Sequence, residues 1–249
     1  MILSTLVLFS ITFLAGLPII HTRKGWSGEK LKLTLIFAGA YLFSITITHI
    51  LPELYTQAGE SAIKVGVFVL IGFFVQQFLE YLTSGVEHGH MHEQSGNHQH
   101  GSFSSLFVVT GLCLHSFLEG TLLAHPSSMH AHNDATGLLV GIVIHKIPAA
   151  IALMSVVMCH IKSKITAYTY LLIFSISSPL GLILSDYAAQ QGFFSPEMIV
   201  MLFGIVSGSF LYISTTIFFE TSPGHHFNFK KVAISLLGAF SAIFIDYLF

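Results

Sequence analysis

A histidine and a glutamate lie in the middle of an apolar run, where charge is costly. His115 and Glu119 fall within residues 103–124, a run long enough to cross a bilayer. Ionisable side chains in hydrocarbon usually face the interior of a helix bundle and mark the path of an ion or substrate. A spacing of four residues puts both side chains on one face of a helix. Imidazole and carboxylate together suit a divalent transition metal, so the pair predicts a metal site inside a membrane.

The next apolar run, residues 136–159, carries a possible third ligand, His145. Two imidazoles and one carboxylate leave coordination positions open, which a transport site needs in order to release its ion. For the neighbouring Lys146 three arrangements are open: it turns away, it pairs with Glu119, or it stands where a second metal would bind. The last of these predicts one metal per site. Pro148 removes a backbone hydrogen bond and predicts a broken, polar stretch of helix beside His145.

Composition indicates the class of protein that positions these side chains. The chain has 249 residues, of which 53% are hydrophobic and 9% are charged, whereas about 25% of a soluble domain is charged. We therefore expect an all-α membrane protein, a bundle of eight transmembrane helices that forms a single domain over residues 1–249. A net charge of −2 gives no basic surface for nucleic acid. The predicted spans are residues 2–20, 33–54, 63–83, 103–124, 136–159, 166–187, 197–219 and 231–248.

The positive residues predict an orientation. Of the ten, eight lie in the odd-numbered loops, one, Lys64, lies on the other side, and Lys146 lies within a span. Cytoplasmic loops carry the excess of lysine and arginine, so the odd-numbered loops are predicted to be cytoplasmic. Eight spans then place both termini outside the cytoplasm.

The third loop, residues 84–102, is rich in histidine and is cytoplasmic by the same count. Such a polar segment does not build a packed core, and a short histidine-rich tract suggests transient metal binding. The alternative is a solvated linker with a chance bias in composition. The histidines concerned are His88, His90, His92, His98 and His100.

Further polar residues near the ends of spans are candidates for a transport path. His49 and Glu53, again four apart, lie near the outer end of the second span and could form an entry relay. Glu80 follows Gln76 in the third span, and Glu220 ends the seventh. Both glutamates lie near the predicted cytoplasmic side, where they either line an exit path or are simply solvated.

Five motifs together resemble the ZIP (Zrt/Irt-like) family of metal transporters. The fourth- and fifth-span motifs are the specific ones, and the resemblance extends over essentially the whole chain. The motifs are H-S-F-L-E-G at 115–120, H-K-I-P-A-A at 145–150, H-I-L-P-E at 49–53, S-S-P-L-G at 177–181 and G-S-F-L-Y-I at 208–213.

The resemblance implies uptake of zinc, or of iron, manganese or cadmium, into the cytoplasm. It implies a metal centre between the fourth and fifth spans made of His115, Glu119 and His145, with Ser116 adjacent. It also allows a homodimer. The transported ion is substrate, and no cofactor is expected.

Departures from the family pattern favour a single metal. Some members hold two metals and have a glutamate one turn after the first fifth-span ligand, where this chain has Ala149. Lys146 occupies the neighbouring ligand place, and Ser177 stands near a sixth-span position that is acidic in some two-metal members. Ile217 stands where the seventh span usually has a histidine or glutamate, which suggests a different inner exit.

Three other functions remain open from the sequence. A metal exporter or a membrane metal sensor could use the same polar pairs, and an intramembrane metalloenzyme also needs histidine and carboxylate ligands. The zinc protease signature H-E-x-x-H does not occur in the sequence, so we do not expect an enzyme. The expected partners are a divalent ion and the lipid bilayer, in the plasma membrane or a bacterial inner membrane.

Overall fold

The fold is helical throughout the part of the chain that a computed structural model describes, residues 1–22, 28–83, 103–124, 135–220 and 229–248. No strand occurs within these ranges. The α-helices described are α1 (Ile2–Thr22), α2 (Gly28–Ile45), α3 (Leu51–Ala58), α4 (Ala62–Thr83), α5 (Phe103–Leu122), α6 (Ala135–His160), α7 (Lys164–Gln190), α8 (Pro196–Glu220) and α9 (Phe229–Leu248).

Six of the described helical stretches are long and apolar enough to cross a membrane. One of them, Glu29–Tyr81, is a continuous apolar stretch of 53 residues that contains both the second and the third predicted span. The apolar part of α5, Leu106–Leu122, is shorter than the other stretches. The apolar character of the spans is therefore confirmed, while the count of eight stays a prediction.

The second predicted span is not a uniform α-helix. A π-helical turn, Thr46–Ile50, separates α2 from α3, and the backbone N–H of Leu51 bonds to the carbonyl of Thr46. Pro52 has no N–H to donate to the carbonyl four residues earlier, so a wider turn is a reasonable local solution. His49 lies in this turn and Glu53 in the first turn of α3.

The prolines inside α6 and α7 do not break these two helices. Pro148 lies inside the continuous α6, and Pro179 lies inside the continuous α7. The expected broken stretch beside His145 is therefore wrong. Both prolines are buried, so neighbouring helices hold each half of the helix in line and one missing hydrogen bond does not disrupt it.

Packing divides the described helices into two groups. In the first, α1, α5, α6 and α7 contact one another, most extensively through α5 with α7 and α1 with α6. The second group consists of α2, α3, α4, α8 and α9, whose most extensive contacts are those of α4 with α8 and of α2 with α9. Contacts of α2 with α6 and of α4 with α5 join the two groups.

Glycines permit the closest helix contacts within each group. A Cβ added at Gly72 of α4 would lie 1.8 Å from the carbonyl oxygen of Ile205, on α8. In the other group, a Cβ added at Gly120 of α5 would lie 2.0 Å from the carbonyl oxygen of Ser178 on α7. Small residues let helix backbones approach in this way, and van der Waals packing stabilises such pairs in a membrane.

Candidate metal centre

Three candidate ligands from two helices come together in the interior of the protein. His115 and Glu119 lie one turn apart on α5, and His145 reaches them from α6. Each offers one ligand atom, and the three atoms lie within 4.8 Å of one another. All three side chains are buried, with Glu119 completely inaccessible to solvent. The four-residue spacing thus gives the shared helix face that the sequence predicts.

The distances between these atoms fit a small divalent cation. Glu119 Oε1 lies 3.0 Å from His115 Nε2 and 3.9 Å from His145 Nε2. With zinc–ligand bonds of about 2.0–2.1 Å, ligand atoms in a tetrahedral site lie about 3.3 Å apart. The two distances lie on either side of this value. The two imidazole rings meet edge to face, with their centroids 5.9 Å apart. The Nε2 atom of each ring approaches the same carboxylate oxygen, Glu119 Oε1.

The other carboxylate oxygen of Glu119 contacts Lys146. The ammonium group of Lys146 pairs with Glu119 Oε2 and donates to the hydroxyl of Ser116. It also lies 5.2 Å from the centroid of the Phe174 ring. Of the three expected arrangements for this lysine, the pair with Glu119 is the one observed. One carboxylate oxygen thus contacts a cationic side chain, and the other faces the two imidazoles.

Hydrogen bonds of Ser116 connect this cluster to α7. Its hydroxyl lies 3.1 Å from that of Ser178, and Ser178 Oγ donates to the backbone carbonyl of Ser116 at 2.7 Å. Ser177, the residue singled out from the sequence, donates instead to the carbonyl of Ile173 on its own helix. The close approach of α5 and α7 at Gly120 makes these contacts possible.

A second polar cluster lies where α2, α3 and α9 meet. His49 Nε2 lies 3.6 Å from Glu53 Oε2, and its other ring nitrogen, Nδ1, lies 3.0 Å from Asp246 Oδ1. The three side chains are partly buried, with 16–24% of each exposed. Gln57 donates to the other oxygen of Glu53 at 3.1 Å. One imidazole is therefore held between two carboxylates from different helices.

The remaining candidates lie on other helices or outside the described residues. Glu80 is buried on α4. Glu220 ends α8, and its side chain lies outside what the structure describes. The histidine-rich residues 84–102 also lie outside the described residues. Gln76, one turn before Glu80, accepts a hydrogen bond from Ser209 of α8.

Comparison with known families decides the class of protein to which this site belongs. A family model described as ZIP Zinc transporter matches residues 85–246, which include His115, Glu119 and His145. The chain belongs to the ZIP zinc transporter family. With its apolar helices, this makes it an integral membrane protein that crosses the bilayer several times.

Individual relatives agree with this assignment. Zinc transporter ZIP9-A of Xenopus laevis is 28% identical over 159 residues, which cover 61% of this chain and 50% of that protein. Zinc transporter ZIP9 of Micropogonias undulatus is 26% identical over 172 residues, covering 65% and 53%. Protein zntD of Dictyostelium discoideum is 27% identical over 148 residues, covering 57% and 21%. The chain thus matches about half the length of the ZIP9 relatives.

Three residues at the two clusters were not singled out from the sequence, and each had a recognisable signal. Asp246 is the only acidic residue in the last predicted span. Ser178 lies in the motif at 177–181 and Ser209 in the motif at 208–213. A polar residue within an otherwise apolar helix, as at each of these three positions, indicates a contact with another helix.

Proposed function

We propose that this ZIP family member imports zinc, or a similar divalent transition metal ion, into the cytoplasm. The ion binds to His115 Nε2, Glu119 Oε1 and His145 Nε2, between the fourth and fifth spans, which are α5 and α6. The observation that carries the proposal is the convergence of these three buried ligand atoms in a chain of this family. Two imidazoles and one carboxylate are the hard-to-intermediate donors that zinc accepts.

The site holds one ion rather than two. Lys146 already occupies the second oxygen of Glu119, and Ala149 offers no ligand atom one turn beyond His145. An ammonium group beside the carboxylate repels a second divalent cation. Three protein ligands leave a coordination position for water, which lets the ion exchange.

The path runs from the outer face to the cytoplasm. The ion enters past His49 and Glu53 and exchanges its bound water for the three central ligands. It leaves when the two helix groups shift relative to each other. Glu80 and Glu220 line the inner exit, and the histidine-rich residues 84–102 receive the ion. The excess of lysine and arginine in the odd-numbered loops supports the orientation in which the histidine-rich loop is cytoplasmic.

Transport by the purified chain tests the proposal. In proteoliposomes we expect radiolabelled zinc to accumulate with the wild-type chain and not with His115→Ala, Glu119→Ala or His145→Ala. The matched control is His160→Ala, because His160 is an exposed histidine at the end of α6 whose Nδ1 contacts the carbonyl of Val156 on the same helix. Wild-type uptake by the three variants contradicts the site. Zinc binding without uptake indicates a sensor, and net efflux indicates an exporter.

The proposed eight spans and the orientation have a separate test. Cys159 is exposed at the end of α6, on the predicted cytoplasmic side. In intact cells a membrane-impermeant maleimide should label it only after permeabilisation. Glu60→Cys, in a Cys159→Ser background, should be labelled from outside, because Glu60 is exposed between α3 and α4. The opposite pattern contradicts the orientation.

A further inference from the structure

A chain of hydrogen bonds approaches His115 from the side opposite the metal ligands. Ser209 Oγ donates to Gln76 Oε1 at 2.7 Å and lies 3.4 Å from His115 Nδ1. All three side chains are buried, with exposed fractions of 1–4%. Gln76 lies on α4 and Ser209 on α8, while His115 lies on α5. Three helices therefore contribute to this chain.

This series of hydrogen bonds has a direction because a serine hydroxyl has a single hydrogen. Ser209 uses that hydrogen in its bond to Gln76, so it can only accept at its contact with His115. When a neutral His115 binds an ion through Nε2, its proton then lies on Nδ1, where Ser209 accepts it. The lone pair of Nε2 is directed at an ion shared with Glu119 Oε1.

We propose that Gln76 and Ser209 are positioning residues for the proposed metal centre. They hold the His115 imidazole in the tautomer that directs its Nε2 lone pair at the ion. This inference rests on the proposed function, since it requires His115 to be a metal ligand. Outer hydrogen-bond partners of a metal-binding histidine fix its tautomer and orientation, and their loss typically weakens metal binding tenfold to a hundredfold.

The contact also crosses between the two helix groups. Gln76 and Ser209 lie on α4 and α8, whose backbones are in contact at Gly72 and Gly208, so they form one rigid support. His115 lies in the other group. The orientation of His115 therefore depends on how the two groups pack against each other, which links metal affinity to their relative position.

A purely structural role makes a different prediction. If Ser209 only bonds to Gln76, its replacement removes one buried hydrogen bond and lowers thermal stability, but zinc affinity does not change. Ser207 is the matched control. It is a buried serine on the same helix, and its hydroxyl donates to the carbonyl of Phe203 rather than to a neighbouring helix.

Zinc affinity of the full chain, purified in detergent, separates the two roles. We expect Ser209→Ala to raise the Kd for Zn²⁺ by about tenfold or more. Ser207→Ala should stay within about twofold of wild type, and Ser209→Thr, which keeps the hydroxyl, should recover most of the affinity. Gln76→Leu acts at the other end of the chain and should weaken binding in the same direction.

The protonation of the two ring nitrogens is measured by nitrogen NMR of the zinc-bound chain labelled with ¹⁵N-histidine, where His115 is the signal lost in His115→Gln. We expect a protonated Nδ1 and a zinc-bound Nε2 in the wild type, and loss of this pattern in Ser209→Ala. A protonated Nε2 with zinc on Nδ1 in the wild type overturns the proposal, and that result needs only the wild-type chain.

The affinity data distinguish this proposal from the proposed function. If His115→Gln loses zinc affinity while Ser209→Ala and Gln76→Leu both keep it, the positioning role is wrong and the metal centre stands. If His115→Gln itself binds zinc as tightly as wild type, the metal centre is wrong and the positioning role fails with it.

Discussion

The two carboxylate oxygens of Glu119 have different neighbours. Oε2 pairs with Lys146, and Oε1 faces the imidazoles of His115 and His145. A buried carboxylate without a countercharge costs several kcal/mol, which is roughly the whole stability of a small domain. Lys146 thus supplies a permanent countercharge that lets the protein fold around the buried carboxylate of Glu119 without a bound ion.

Replacing this lysine should therefore separate folding from ion binding. Lys146→Met leaves Glu119 buried without its cation, and we expect a loss of roughly 3–5 kcal/mol in the metal-free protein. Zinc then takes over as countercharge, so the rise in Tm on adding zinc should be larger than in wild type. Thermal unfolding in detergent with and without zinc measures both effects. The control is Lys64→Met, because Lys64 is exposed; equal Tm values in the two metal-free variants contradict this role.

Asp246 orients His49 at the proposed entrance. Its bond to Nδ1 leaves Nε2 directed at Glu53. We expect Asp246→Ala to raise the KM of zinc uptake severalfold while the maximal rate changes little, because capture of the ion is affected and the central ligands are intact. Uptake over a range of zinc concentrations measures this. Asp186→Ala is a control at the end of another span on the same predicted side; a fall in maximal rate alone in Asp246→Ala argues against a role in capture.

At the scale of elements, apolar runs of sequence predict where helices lie but not their internal hydrogen-bond register. The predicted apolar runs coincide with described helices, with ends within a few residues except at α2, which begins at Gly28 rather than residue 33, while their division into eight spans stays a prediction. The π-helical turn Thr46–Ile50 was not predicted. Its cause is the missing N–H of Pro52 combined with packing around it, and hydropathy contains no information about either.

Only part of the candidate site could be predicted for a similar reason. His115 and Glu119 are four residues apart, so helix geometry alone places them together. The hydrogen-bond partners of the proposed ligands come from distant positions, with Ser209 94 residues from His115 and 133 from Gln76. Helix packing decides such contacts, and packing follows from side-chain shape along whole helices rather than from any local pattern.

The glycine contacts between helices are a test of that packing. Gly72→Ala places a methyl group 1.8 Å from the carbonyl oxygen of Ile205, so α4 and α8 must separate. We expect a loss of roughly 1–3 kcal/mol or more in stability, as for other overpacked sites. Gly66→Ala is the matched control on the same helix: its nearest neighbour is the hydroxyl of Tyr55 at 3.5 Å, and alanine is the better helix former. Thermal unfolding of both variants in detergent provides the comparison, and equal Tm values mean that the helices do not need this contact.

At the scale of the whole molecule, the site depends on a larger part of the chain than the family match covers. Residues 85–246 include the three proposed ligands, Ser209 and Asp246. Gln76 and His49 precede this range, yet they contact Ser209 and Asp246, which the match includes. The central cluster, with Gln76 and Ser209, is therefore assembled across both helix groups, whereas the cluster around His49 lies within one of them.

The pairing of Lys146 with Glu119 has an electrical consequence. One positive and one negative group make the empty centre neutral, and the bound ion raises its net charge to +2. Two charges moving through a potential of 100 mV correspond to about 4.6 kcal/mol, whereas return of the empty centre is insensitive to voltage. Zinc uptake into proteoliposomes should therefore speed up when a potassium gradient and valinomycin make the interior negative. Uptake that is indifferent to voltage contradicts this charge balance. In Lys146→Met the empty centre carries a charge of −1, so an interior-negative potential should also act on its return and favour the outward-facing position.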